Sequence, residues 1–261
     1  MASALQGTTV IVTGGAGGLG KAIATAYVNA GANVVICDIN DERLAATSAD
    51  FEATGRFLAL KTDITCEAAV QSLIEQTTTK FGRLDILVNN AGMMDGFDPV
   101  GELSKENWDR VLNLNLTGSF LCMKSAVNAM QRQEPRGGLI IQIGSNASHQ
   151  GTNAGLVYTV SKHGVAALVK NTAGFYADQN IYAVGLMMGA MIDTNITEST
   201  MKMGWFNQEG FTKFFGEKEF NTNCAIKLAD AGKYCVFLAD RDIAATLNGS
   251  LINFNKNWPQ A

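Results

Sequence analysis

A run of β-favouring apolar residues, Thr9 to Val12, passes directly into Thr13-Gly14-Gly15-Ala16-Gly17-Gly18-Leu19-Gly20 and then into the helix-forming stretch Lys21-Ala22-Ile23-Ala24. Glycines crowded between a strand and a helix let the backbone turn sharply and come close to a ligand. N–H groups exposed at the start of such a helix, together with the positive end of its dipole, suit the charge of a pyrophosphate. The glycines are spaced G-x-x-x-G-x-G rather than in the commoner G-x-G-x-x-G. A chain that opens this way is restricted to folds in which helices leave the carboxyl ends of buried strands.

The rest of the chain keeps that rhythm. Short apolar runs at Asn33 to Cys37, Phe57 to Leu60, Ile86 to Val88, Leu139 to Ile143 and Ile181 to Met187 alternate with helix-length segments. The runs are nearly continuous rather than alternating, as in strands covered on both faces, and the connections are long enough for right-handed crossovers. The pattern predicts an α/β fold, a doubly wound parallel sheet of Rossmann type in one domain over residues 1–261. A length of 261 residues suits one large α/β domain better than two small ones.

Asp38 follows the second run about 20 residues past the glycine turn. A carboxylate there can accept both hydroxyls of an adenosine ribose and would repel a 2′-phosphate, which points to NAD rather than NADP. Gly17 and Ile39, where a basic residue could neutralise that phosphate, are uncharged. Asp38 could instead cap the following helix.

Tyr158 and Lys162 are four apart in Tyr158-Thr159-Val160-Ser161-Lys162, with Ser145 upstream. On a helix the two share a face. Opposite charges about 4 Å apart at an effective dielectric near 20 attract by roughly 4 kcal/mol, close to three pKa units. A phenol held this way could titrate near neutrality and exchange a proton with a substrate oxygen, provided desolvation does not cancel the gain. Taken alone such a pair is more often an exposed helix contact; the glycine turn changes the odds toward chemistry.

These motifs together resemble the short-chain dehydrogenase/reductase family of the roughly 250-residue type, over essentially the whole chain. The family's T-G-x-x-x-G-x-G falls on Thr13 to Gly20, its N-N-A-G on Asn89-Asn90-Ala91-Gly92, its Y-x-x-x-K on Tyr158 to Lys162, and its helix-four asparagine on Asn115. The resemblance implies a catalytic set of Asn115, Ser145, Tyr158 and Lys162: Tyr158 the acid/base, Lys162 lowering its pKa and holding the nicotinamide ribose, Ser145 orienting substrate, Asn115 supporting a proton-relay water. It implies that Gly14, Gly17, Gly18, Leu19, Gly20, Asp38 and Ile39 meet the cofactor, that Asp63 and Ile64 contact the adenine, and that Asn90, Ala91 and Gly92 line the cleft. After the sixth strand the family has Pro-Gly and then a Thr at the carboxamide. Here the run is Met187-Met188-Gly189-Ala190-Met191-Ile192-Asp193-Thr194, without the Pro and one residue longer. Either Met188-Gly189 or Gly189-Ala190 takes the Pro-Gly place, with Gly189, Ile192 and Thr194 as expected cofactor contacts.

Between Thr194 and Phe220 the rhythm stops, and Met201, Met203, Trp205, Phe206, Phe211, Phe214, Phe215 and Phe220 are punctuated by Lys202, Glu209, Lys213 and Glu217. Short amphipathic helices are expected, serving as a substrate lid over about residues 194–220, or else as packing or a subunit contact. Met94, Met191 and Trp205 join Ser145 and His149 as expected substrate contacts, with Met93, Met188 and Phe97 extending a soft apolar wall. His149 could face substrate or solvent.

A net charge of −4 with no basic run argues against a nucleic-acid or anionic-membrane partner. No apolar stretch is long enough to span a membrane, and the first residues lack a secretory pattern. Five scattered cysteines offer no C-x-x-C pair, so no metal site is expected, and packed thiols of a cytoplasmic protein are. The expected activity is NAD(H)-dependent interconversion of a secondary alcohol and a ketone on an apolar small molecule, cyclic compounds among the candidates. The alternatives are a relative turned to cyclisation, isomerisation or elimination, and a dinucleotide-responsive binding protein. Family relatives assemble through their long helices, here about Lys105 to Arg132 and Leu156 to Asp178, so a homotetramer or dimer is expected, with the tail through Trp258 covering an edge or meeting a neighbour.

Overall fold

In the computed structural model, which describes residues 4–216 and 222–258, seven parallel strands form one sheet in the order β3-β2-β1-β4-β5-β6-β7. They are β1 (Thr9–Thr13), β2 (Asn33–Asp38), β3 (Phe57–Lys61), β4 (Ile86–Asn89), β5 (Gly138–Ser145), β6 (Ile181–Met188) and β7 (Leu251–Phe254). The order reverses between β3-β2-β1 and β4-β5-β6, which opens a crevice at the carboxyl ends of β1 and β4.

Neighbouring residues of each strand face opposite layers, and both layers are apolar. Val10, Val12, Val34, Ile36, Ile141 and Leu186 lie in one buried cluster with α1 (Gly18–Asn29), while Ile11, Val35, Leu87, Ile140 and Ala183 lie in the other. That second layer is covered by α3 (Glu67–Phe81), α5 (Ser119–Arg132) and α6 (Leu156–Tyr176), and α2 (Asp41–Phe51) lies on the first. Burial on both faces is why the strands read as uninterrupted apolar runs.

The long helix expected from Lys105 to Arg132 divides into α4 (Lys105–Leu112), one π-helical turn at Asn113–Gly118, and α5. A π-turn adds one residue to the helical repeat and re-aims a side chain, here within the segment that holds Asn115. Beyond β6 come α7 (Glu198–Lys202) and α8 (Gln208–Phe215), then α9 (Leu228–Phe237) and α10 (Arg241–Thr246). The helices expected in the aromatic segment are therefore present, whereas Glu217 and Phe220 lie outside the described residues, as does the Phe214 side chain. All five cysteines are free, and burial pushes the thiols of Cys122 and Cys235 up to about 12. No helix among the described residues is long and apolar enough to cross a membrane.

Candidate active site

The glycine turn and the Asn-Asn-Ala-Gly turn are built as one unit. Thr13 Oγ1 accepts the backbone N–H of Asn90 at 2.9 Å and of Ala91 at 3.0 Å, and Asn90 Nδ2 donates to Thr13 O at 2.9 Å. Gly14 and Gly18 take left-handed φ of 61° and 48°, which glycine adopts without cost. A Cβ on Gly20 would lie 2.1 Å from Gly14 O, so the helix can start this close to the strand only with glycine there. Leu19 points into the core beneath the turn.

Above this turn is a cavity of about 440 Å³, lined by Gly17, Gly18, Lys21, Arg43, Thr47 and residues 192–195 among others. No side chain caps Gly17, so the first N–H groups of α1 face the cavity as donors. Ile192 is exposed at its rim, the Thr194 backbone crosses above Gly18, and Asn195 Oδ1 lies 2.8 Å from where a Gly18 Cβ would be. This cradle fits the diphosphate of a dinucleotide.

Asp38 ends β2 half-buried, and its Oδ1 accepts the N–H of Asn40 at 3.1 Å. The cap of α2 is Asn40, which accepts from Arg43 N at 2.9 Å, so Asp38 is not needed for that task. Ile39 beside it is exposed. Two cations that the motifs do not mark face the same cavity: Lys21, paired with Asp50 at 2.7 Å, and Arg43, paired with Glu198 of α7. Asp63 is exposed and accepts from Thr65 N at 2.9 Å, while the Ile64 side chain enters the core. The backbone of the pair and the exposed Asp63 carboxylate are therefore what this pair presents to an adenine.

Ser145 ends β5 and starts a short helical turn, its Oγ accepting from Ala147 N at 3.2 Å. Tyr158, in the first turn of α6, is buried, with the Ser145 side chain near enough to its phenol to favour the ionised form. Lys162, one turn on, donates from Nζ to Ile143 O at 3.2 Å and stands 5.4 Å from the centre of the Tyr158 ring. Burial pushes the Tyr158 phenol well above its ordinary range, the Ser145 side chain draws it back, and the Asp95 carboxylate raises it further. The same burial brings the Lys162 ammonium down to about 8. Desolvation is thus the largest influence on both groups, the condition on which a phenol titrating near neutrality depends.

Asn115 is fully buried. Its Oδ1 accepts Met93 N at 2.9 Å, and its Nδ2 donates to Met93 O at 2.9 Å and Ser161 Oγ at 3.2 Å. Ser161 in turn donates to Tyr158 O at 2.7 Å, so Asn115 ties the turn after β4 to the helix bearing Tyr158. Gly92 permits the approach, since a Cβ there would sit 3.2 Å from Asn115 Oδ1.

Around Tyr158 pack Met94, Ala147, Ala154 and Ile196. Trp205 packs instead with Met93, Val111 and Val157, with the Arg110 guanidinium 4.7 Å above its ring. His149 is exposed beyond the turn that follows Ser145. Met191 leans on the core and Met187 is wholly buried. The irregular run after β6 is held by β7: Gly189 N donates to Phe254 O at 3.0 Å, and a Cβ on Gly189 would sit 2.7 Å from Asn255 Cα. Glycine at 189 is demanded by that crossing.

Asp95, Arg43 and Asn195 escape a reading by motif, because their importance comes from partners far off in sequence. The sequence shows only an Asp three residues after N-N-A-G, and its burial is seen in the structure alone.

The family model for short chain dehydrogenases matches residues 8–204, and the chain belongs to that family of oxidoreductases. A short chain dehydrogenase/reductase of Colletotrichum higginsianum is 42% identical over 255 residues, covering 97% of this chain and 94% of that one. A 3beta-hydroxysteroid dehydrogenase of Eggerthella lenta is 33% identical over 260 residues, covering 97% and 95%. Among solved structures, levodione reductase superposes with a TM-score of 0.83 at 25% identity, covering 97% and 98%. Actinorhodin polyketide ketoreductase with NADPH superposes at 0.84 and 23% identity, covering 97% and 98%, a likeness of fold.

Proposed function

We propose that this chain is an NAD(H)-dependent oxidoreductase that interconverts a secondary alcohol and a ketone on an apolar, cyclic small molecule, with Tyr158 as the acid/base. The observation that carries the reading is the buried Tyr158 and Lys162 with half-buried Ser145, packed against an apolar wall in a chain that also builds a glycine cradle. When bound, the nicotinamide exchanges the hydride. Gly14 to Gly20 hold the diphosphate, Asp38 the adenosine ribose and Lys162 the nicotinamide ribose, with Thr194 at the carboxamide. In the reducing direction Tyr158 gives its phenolic proton to the carbonyl oxygen while Ser145 donates a hydrogen bond to that oxygen. Asn115 holds Tyr158's helix in register through Ser161.

A hydroxysteroid dehydrogenase alignable along almost the whole chain favours a ring-bearing substrate. Asp38 favours NAD, and the acid partners of Lys21 and Arg43 leave neither cation unpaired for a 2′-phosphate. The protein acts in the cytoplasm as a homo-oligomer, with residues 194–216 as part of a lid on the substrate.

The deciding experiment is Tyr158→Phe, assayed with NADH on a panel of cyclic ketones. Reduction falls by about a thousandfold while NADH affinity, read by fluorescence, holds within twofold. Undiminished turnover removes Tyr158 from the chemistry, and tighter binding of NADPH than NADH by the unsubstituted protein overturns the role given to Asp38.

A further inference from the structure

Helix α6 has no cap of its own. Its N-cap position is Gly155, which has no side chain, yet the first N–H groups of a helix need acceptors. The acceptor comes from 63 residues upstream: Asp95 Oδ2 accepts Tyr158 N at 2.9 Å, and Oδ1 accepts Gly155 N at 3.1 Å and Phe97 N at 3.2 Å. Asp95 is 3% exposed, so these three donors are what keep a carboxylate tolerable there. The fit is tight, since a Cβ on Gly155 would stand 2.6 Å from Asp95 Oδ2.

The turn that carries Asp95 also carries the aromatic segment. Gly96 O accepts Asn207 N at 2.8 Å, and Asp98 Oδ1 accepts Asn207 Nδ2 at 3.1 Å. Phe97, at a left-handed φ of 69° that a Phe rarely adopts, meets Phe211 edge-on at 5.1 Å and Phe206 at 5.8 Å. The start of Tyr158's helix and residues 205–211 are thus referenced to one four-residue turn.

We propose that Asp95 is a positioning residue: its carboxylate caps the helix bearing Tyr158 and couples the setting of that tyrosine to the 205–211 segment. The inference rests on the reading of Tyr158 as the acid/base. The charged or titratable groups around the pair are Tyr158 and Lys162 on α6 and Asp98 on the turn itself, with Ser145 the neutral partner from β5.

The test uses Asp95→Asn in the full chain saturated with NADH, and Gly155→Ala as a second variant that keeps the carboxylate but crowds it. Asparagine has one oxygen for three donors, so its amide must face at least one of them. On the cyclic ketone that the unsubstituted protein reduces fastest, kcat falls about 10- to 100-fold in both variants, with KM and NADH affinity within threefold. In Asp95→Asn the alkaline limb of kcat moves to lower pH, because a negative charge beside the phenol is gone. Amide exchange read by mass spectrometry quickens about tenfold in residues 155–160 and in 205–211, and not in β1 or β2. Unchanged kcat, limb and exchange overturn the proposal, as does quickening spread evenly over the chain with the limb in place. If Asp95→Asn does not fold, Gly155→Ala decides by the same kcat and exchange readings. If the unsubstituted protein reduces no ketone, the functional reading fails on its own, and local exchange in the two segments still decides the coupling.

Discussion

Lys162 shows how much one buried charge can cost and what it is kept for. With its ammonium brought from an ordinary 10.5 to about 8 by burial, the charged form costs the folded state roughly 3 kcal/mol. The sign follows from the depressed pKa: the cost is fully present below about pH 8 and is gone above the unfolded value of 10.5. Lys162→Met is therefore more stable than the unsubstituted protein at pH 7, and the gap closes as pH rises to 10, which urea unfolding at a series of pH values checks. A gap that does not change with pH shows that burial has not lowered the ammonium's pKa below its unfolded value. Asp38 makes the complementary prediction. Asp38→Ala loses about tenfold or more in NADH affinity and narrows or reverses the preference over NADPH, read by fluorescence titration. Both residues were legible in the sequence, Lys162 from its spacing to Tyr158 and Asp38 from its distance to the glycines. Asp95 and Arg43 were not, because each acts on atoms that only folding brings near.

Among elements, the strands show where a sequence reading stops short. Apolar runs ended at Val12, Cys37, Leu60, Val88 and Ile143, while the ladder continues to Thr13, Asp38, Lys61, Asn89 and Ser145. The residues that end the strands are polar and sit at the carboxyl ends, where helix cover gives way to the crevice, and Thr13, Asp38 and Ser145 among them belong to the candidate site. The π-turn at Asn113–Gly118 was invisible for a different reason, since an extra residue in a helix changes no local propensity. At the glycine turn, Gly20→Ala pushes a methyl against Gly14 O; it destabilises the protein by about 2–3 kcal/mol in urea and abolishes detectable NADH binding. Over the cavity, α7 is tied down by Glu198, whose carboxyl is held down to about 2 by Lys202 and then Arg43. That depressed value keeps the tie ionised across the whole neutral range and loses it only as pH falls toward 2. Glu198→Gln releases NADH several times faster in stopped flow and flattens the dependence of release on salt, because an ion pair one-third exposed is screened.

For the whole molecule, α5 and α6 leave Phe120 44% and Phe175 69% exposed, a cost to a monomer and a natural contact for a second copy. Light scattering gives a mass of two or four chains, and Phe175→Glu lowers it; a single-chain mass for the unsubstituted protein ends that reading. The sequence by itself determined the parallel sheet, the glycine cradle and the Tyr158–Lys162 pair, because each depends on local rules: burial on both faces, a backbone that only glycine allows, and the four-residue repeat of a helix. Tertiary structure alone decided that Asn40 rather than Asp38 caps α2, that Trp205 packs away from Tyr158, and that a carboxylate from another loop caps the helix bearing Tyr158. Those outcomes depend on which surfaces meet, and burial then moves the Tyr158 phenol up and the Lys162 ammonium down.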